Sequence, residues 1–345
     1  MGVATGRGWS RVGRPLFFAV TTVVLTLALL EIALVAMLSV PVRGAPWLPV
    51  ARDLYLNVTR DIIQFNAQAA RWDPELFYTL RPGRFQFAQA EFRHEFRVNG
   101  AGLRDEESAL RAPEIIVVGD SFTMGWGVAQ EAAYPKLIEA AIGRRTLNAG
   151  VSSYGTVREM LLLNRLDMSR LRVLVVQYSG DDFFENRAYW RAGNEHRSRD
   201  ERRWQYTVER VAARRAYYPG KHVWDVGRRL VRRLALRSRI TEAPAEPDAV
   251  ELFLNALTHA PRVDLSRVQL VVWEMPGSGV IPHLPERLRR GDYPAPVRTM
   301  VLVDVAPAVD AARDFWILDD HLNASGHRAV AGRLIDALQR LDRAR

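Results

Sequence analysis

Apolar and polar positions divide the chain into one long apolar segment, a mixed aromatic stretch, and a series of short apolar runs alternating with amphipathic helices. Leu16 to Val40 is apolar almost throughout, with Arg7, Arg11 and Arg14 before it and Pro41 and Arg43 after it. It exceeds the ~20 residues that cross a bilayer. It also exceeds the ~7–15 residues of a signal-peptide core, and no small-x-small cleavage site follows. The pattern predicts a basic arm at 1–15 and an uncleaved single-pass anchor at 16–40. Arginines ahead of the span predict a cytoplasmic N-terminus in the inner (cytoplasmic) membrane and a body exported to the periplasmic or extracytoplasmic side.

Beyond the span, residues 41–110 read as an exported linker and accessory segment, with a helix near Asp53 to Ala70 and strand pairing near Phe85 to Val98. The segment Asn99-Gly100-Ala101-Gly102-Leu103-Arg104-Asp105 reads as a tight loop leading to the first sheet strand. Five apolar runs follow: Ile115 to Val118, Arg145 to Val151, Arg172 to Gly180, Val268 to Pro276 and Thr299 to Val305. Short runs of this kind are strands buried on both faces. Between them, Tyr134 to Ile142, Thr156 to Met168 and Ser325 to Arg340 have helical spacing. Strands alternating with helices predict an α/β fold with a five-stranded parallel sheet over 111–345.

One crossing is abnormally long, with nearly ninety residues between the third and fourth strands where about a dozen suffice. It predicts a helical insertion at about 183–248. In it Val223, Val226, Leu230 and Leu234 mark one helical face and Arg228, Arg229, Arg232 and Arg233 the other. A solvated helix, a lid and a foot on the membrane surface all fit this pattern, and Glu242 to Asp248 reads as a linker back.

Composition sharpens this picture in two places. The 345 residues are 48% hydrophobic, enough for a large core, and include no cysteine, which excludes disulfides and thiolate metal sites. The net charge of +9 is local: Phe184 to Arg239 holds fifteen arginines and one lysine against six acids. A localised basic face suits anionic lipid or an acidic polymer, and no nucleic-acid reader motif accompanies it. Inside the apolar span, Glu31 is an expensive carboxylate. It pairs with a polar group on a partner's membrane helix, or it is protonated or reaches an interface.

The candidate chemistry begins where the first sheet strand runs into Gly119-Asp120-Ser121. Ligands of open parallel sheets bind at the carboxyl ends of strands, so a serine hydroxyl is delivered to that rim. An unactivated serine is a poor nucleophile and needs an imidazole, which in turn needs an acceptor to fix its tautomer. Asp319-Asp320-His321 supplies both, with His321 as base and Asp319 as orienter. His327 reads as structural. His94, His196, His222, His259 and His283 show no metal-ligand spacing. No Gly-x-Ser-x-Gly elbow, phosphate-binding loop or zinc His-Glu-x-x-His is present, so no cofactor or metal is expected.

Taken together, Gly119-Asp120-Ser121, Asn148-Ala149-Gly150 with Tyr154-Gly155-Thr156, Ser179-Gly180-Asp181-Asp182 and Asp319-x-His321 resemble the four ordered blocks of the SGNH/GDSL hydrolases. The match is to the membrane-anchored bacterial branch, which also carries an Asn-x-x-Gly-Leu-Arg-Asp segment ahead of the serine. The resemblance covers about Val98 to Leu341, less the insertion. It implies a flavodoxin-like three-layer α/β/α sandwich and ester hydrolysis or acyl transfer on carbohydrate or lipid. It also implies Ser121 as nucleophile, with the N–H groups of Ser121 and Gly150 in the oxyanion hole. The third block departs from the family: Asp181 stands where the family has an asparagine amide donor. An ionised carboxylate only accepts hydrogen bonds and repels an oxyanion.

Two readings of different class follow. The first is a membrane-anchored serine esterase, or O-acyltransferase, acting on O-acylated envelope polysaccharide or exopolysaccharide. The second is a catalytically silent member of the fold that binds glycan or scaffolds an envelope complex.

Overall fold

The computed structural model describes residues 10–235 and 247–344, so Arg7 and most of the expected linker at Glu242 to Asp248 lie outside the described residues. The chain divides into two compact units, Met1–Arg60 with Arg214–Glu242, and Asp61–Ala213 with Ala243–Arg345. The basic insertion is thereby shared: its Asp182–Arg191 helix belongs to the larger unit and its Lys221–Ala235 helix to the smaller one.

In the larger unit, two antiparallel pairs precede the main sheet: β1 (Ala70–Asp73) with β2 (Phe77–Leu80), and β3 (Gly83–Ala88) with β4 (Arg93–Val98). Five parallel strands follow: β5 (Ile115–Gly119), β6 (Thr146–Gly150), β7 (Val173–Tyr178), β8 (Gln269–Glu274) and β9 (Val301–Val303). Their order across the sheet is β6-β5-β7-β8-β9, the flavodoxin-like 2-1-3-4-5 arrangement, whose topological switch point lies between β5 and β7. Side chains of a strand alternate between faces. Ile116, Val118, Leu174, Val176, Leu270 and Val272 therefore fill one core with Val157, Met160 and Phe253 from the helices Thr156–Leu162 and Ala249–His259. Ile115, Val117, Val173, Val175 and Val271 fill the other with Ile138, Leu334 and Leu338 from Tyr134–Ile142 and Ala324–Arg343. The result is helix, sheet, helix, with β5 central and buried along its whole length.

Two expected elements differ. The helix expected at 53–70 is instead Leu48–Leu54, started by Pro49, followed by a single π turn at Tyr55–Thr59 and a 3-10 turn at Ile63–Phe65. The β-branched Val58, Thr59, Ile62 and Ile63 disfavour a continuous helix there, and Ala70 opens β1. The fifth strand shrinks from seven expected residues to Val301–Val303, because Pro307 and the Ala306–Ala308 turn end the run.

In the smaller unit, the Ser10–Ser39 helix contains a stretch, Gly13–Ser39, long and apolar enough to cross a membrane. Glu31 is buried by this same chain. Its carboxylate accepts the backbone N–H groups of His222 (3.0 Å) and Val223 (3.0 Å) and lies 2.8 Å from His222 Nδ1, so it caps the Lys221–Ala235 helix. Arg229 of that helix reaches Asp53 at 3.3 Å. The expected division of this helix changes accordingly. Lys221, His222 and Asp225 are buried, whereas Leu230 lies on the exposed side with Arg228. Capping by Glu31 turns the polar first turn inward.

Candidate active site

Ser121 is placed by the tight join between β5 and a one-turn helix. Asp120 turns the chain and its Oδ1 accepts the Phe122 N–H at 2.9 Å, capping Ser121–Met124; Gly125, with a φ of 81°, ends it. The turn lies so close to the sheet that side chains are excluded beneath it. A Cβ on Gly119 would come within 2.0 Å of Thr123 Oγ1, and one on Gly150 within 2.3 Å of the Met124 amide nitrogen. Burial pushes the Asp120 carboxyl above its ordinary range.

His321 arrives from the far end of the chain, on a loop closed by a Phe315–Leu322 bridge. Its Nε2 lies 2.7 Å from Ser121 Oγ, and its Nδ1 lies 2.5 Å from Asp319 Oδ1. A second carboxylate, Asp320 Oδ1, stands 3.1 Å from the same Nδ1. The imidazole is held between two aromatic rings: Trp126 stacks on it at 4.9 Å and 18°, and Phe122 meets it at 4.9 Å and 36°. Trp126 also donates its indole N–H to Asp319 Oδ2 at 3.2 Å. Burial pulls the His321 pKa down, but the Asp319 carboxylate, reinforced by Asp320, outweighs burial and raises it to about 9. The cluster thus links an alcohol, an imidazole and a carboxylate in a chain able to move a proton from Oγ to Nε2.

Two supporting groups lie outside the motif blocks. Glu91, from the turn between β3 and β4, accepts the backbone N–H groups of Ile317 (2.7 Å), Leu318 (2.7 Å) and Asp319 (2.9 Å). It thereby fixes the loop that carries Asp319 and His321. Arg104 is buried over the Phe96 ring at 3.6 Å. Its guanidinium donates to the carbonyls of Met124 (3.3 Å), Gly125 and Val128 (2.8 Å), holding the turn after Ser121. Next to it, Asp105 Oδ2 accepts the Asn148 N–H at 2.8 Å. The segment Asn99 to Asp105 is therefore a clamp between the serine turn and β6. Nothing in its composition signals this, because the carbonyls it serves are invisible in the sequence. For Trp126 a faint signal existed, a lone large aromatic between Gly125 and Gly127.

The other sequence candidates stand apart from this cluster. The Gly150 N–H is donated to Asn148 Oδ1 at 3.0 Å, within its own strand end, so it is not open toward Ser121. Asp181 is exposed at the N-terminus of the Asp182–Arg191 helix, where its side chain caps no amide. His327 is buried, and its Nδ1 accepts the Tyr134 N–H at 3.2 Å; burial lowers its pKa to about 3, so the ring is a neutral strut. Glu159 and Asp182 are buried nearby, and burial drives both carboxyls well above their ordinary range, with repulsion from Asp182 adding to it at Glu159 and repulsion from Asp120 at Asp182. Asp319, Asp320 and His321 have ligand atoms within 4.8 Å of one another, a spacing that suits a metal ion. An ion there would compete with Ser121 and Trp126 for the same ring and carboxylate.

No protein-family model matches the chain, and no curated protein does. Among solved structures it is similar to a "putative lipolytic protein of G-D-S-L family" from Desulfitobacterium hafniense DCB-2. The identity is 11% and the TM-score 0.34, over 64% of this chain and 97% of that one. A likeness this distant carries no chemistry across.

Proposed function

We propose that the chain is a membrane-tethered serine ester hydrolase of the SGNH/GDSL type, acting on O-acyl groups of an exported carbohydrate. The observation that carries the reading is the Ser121–His321–Asp319 relay, in which Ser121 and His321, 200 positions apart, meet at 2.7 Å and His321 lies 2.5 Å from Asp319. In this mechanism Ser121 Oγ attacks the ester carbonyl while His321 Nε2 takes its proton. The imidazolium, stabilised by Asp319, then protonates the departing alkoxide. Water resolves the acyl-enzyme in a hydrolase; a sugar hydroxyl does so in an O-acyltransferase. The Ser121 N–H, at the open end of its one-turn helix, supports the oxyanion. Neither Gly150, whose N–H is taken, nor the exposed carboxyl of Asp181 adds to it without rearrangement. The apolar N-terminal helix supports an anchored location, and the arginines ahead of it support an exported catalytic body.

The test is turnover of a chromogenic acetyl ester by the full chain in detergent. Turnover lost in Ser121→Ala, together with covalent labelling of Ser121 by a fluorophosphonate, supports the reading. Asp181 and the engaged Gly150 amide favour a second reading, a silent glycan-binding or scaffolding subunit. Absence of both turnover and labelling in the parent chain would select that one.

A further inference from the structure

The Lys221–Ala235 helix presents an exposed stripe that nothing in the smaller unit covers among the described residues. Trp224, Arg228 and Val231 fall at i, i+4 and i+7, one face of a helix. Trp224 and Val231 are each 65% exposed, and Leu230, on the flank, is 59% exposed. Arg228 and Arg232 stand among them, also exposed. The opposite side is anchored: His222 and Val223 on Glu31, and Arg229 on Asp53.

The level of the anchor follows from helix geometry. A span of ~20 residues covers a hydrocarbon core of about 30 Å. Counted from Arg14, Glu31 lies about 26 Å along the helix at 1.5 Å per residue. The apolar stretch of 27 residues is about 10 Å longer than that core, so with Arg14 held at one boundary Glu31 lies within one turn of the boundary nearer Ser39. A buried carboxylate at this level has taken the first turn of an amphipathic helix as its partner, so that helix begins at the lipid surface. Exposed tryptophan suits this zone, where aromatic rings concentrate. Arginine beside apolar side chains suits it as well, because the alkyl stem lies along lipid while the guanidinium reaches phosphate.

We propose that Lys221–Ala235 is an interfacial helix lying on the leaflet nearer Ser39, with Trp224, Leu230 and Val231 among the upper acyl chains and Arg228 and Arg232 on anionic lipid phosphates. Glu31 fixes it there by capping its N-terminus. The occupant of the stripe is the bilayer itself, because the helix is held on the membrane span through Glu31 and its charge complements anionic headgroups.

The chain has no native cysteine, so single-cysteine variants of the full protein report individual positions. Leu230→Cys, Val231→Cys and, as an exposed control, Gln339→Cys would be labelled with a nitroxide. Each would be reconstituted in nanodiscs of phosphatidylcholine with or without phosphatidylglycerol. Collision with oxygen, which partitions into lipid, is compared with collision with a water-soluble nickel chelate. The expected oxygen-to-nickel ratio at positions 230 and 231 is severalfold above the control and rises further with phosphatidylglycerol. Arg228→Gln with Arg232→Gln abolishes that further rise. Glu31→Leu lowers the ratio at 231 while fluorophosphonate labelling or the circular dichroism spectrum shows the remainder folded. A ratio equal to the control overturns the proposal. Shielding from both reagents, which signals a protein contact, also overturns it, and a ratio indifferent to phosphatidylglycerol overturns its headgroup assignment.

Discussion

Substituting Glu91 by glutamine tests whether the His321 loop is set by a residue that never touches the reacting atoms. One oxygen of Glu91 serves Ile317 and the other serves Leu318 and Asp319. An amide offers a single acceptor oxygen, and its NH2 group faces an N–H donor wherever it points. The mildest orientation keeps the bonds from Leu318 and Asp319 and sets NH2 against the Ile317 N–H. Hydrogen bonds to a charged group are worth about 1.5–3 kcal/mol each, roughly twice neutral ones. Losing one and weakening two costs a few kcal/mol. If about 2 kcal/mol of that loosens the Asp319–His321 geometry, kcat falls about thirtyfold. KM is expected to change little, since Glu91 lies behind the loop. The assay is steady-state hydrolysis of a chromogenic ester by the parent and Glu91→Gln, with the thermal midpoint measured alongside. An unchanged kcat accompanied by a lowered midpoint would refute the reasoning, because the loop would then hold its catalytic geometry without the carboxylate.

Three further outcomes are expected. Because the His321 pKa is raised to about 9 and only the neutral ring accepts the serine proton, kcat/KM should climb with pH, reach its midpoint near 9 and level off above that; a midpoint near the ordinary histidine value of about 6.5 would contradict this. Asp320 Oδ1 stands 3.1 Å from His321 Nδ1, so Asp319→Ala should retain more activity than Asp319→Ala with Asp320→Ala, and equal residual rates would show that Asp320 gives no support. Asp181→Asn should raise turnover, by up to about a hundredfold if the amide swings in as an oxyanion donor, whereas a large loss of rate would mean the carboxyl group itself takes part.

The sheet was legible because its strands are buried on both faces, and Ile115 to Val118 announces a central strand without any tertiary information. Boundaries fared worse where packing overrode periodicity, as at Leu48–Leu54 and the abbreviated β9. The contact between Ser121 and His321 was anticipated from the chemical need of a hydroxyl for a base. The second carboxylate at Asp320, the rings of Trp126 and Phe122 and the clamps at Glu91 and Arg104 were not. Each of these acts on backbone groups or on ring faces brought close only by folding, and residue type alone carries no trace of that. Glu31 was recognisable as anomalous, but its acceptor role toward His222 and Val223 spans 191 positions or more and has no local signature.

The serine turn and the imidazole loop come from opposite ends of the larger unit's sequence, with the whole detour through the basic helices synthesised between them. A chain made from its N-terminus therefore carries the Ser121 hydroxyl 200 positions ahead of the His321 ring that it meets at 2.7 Å. Until the segment around position 321 has been made and has docked, the hydroxyl stands without its imidazole, and chain order alone makes the relay a late feature of the larger unit.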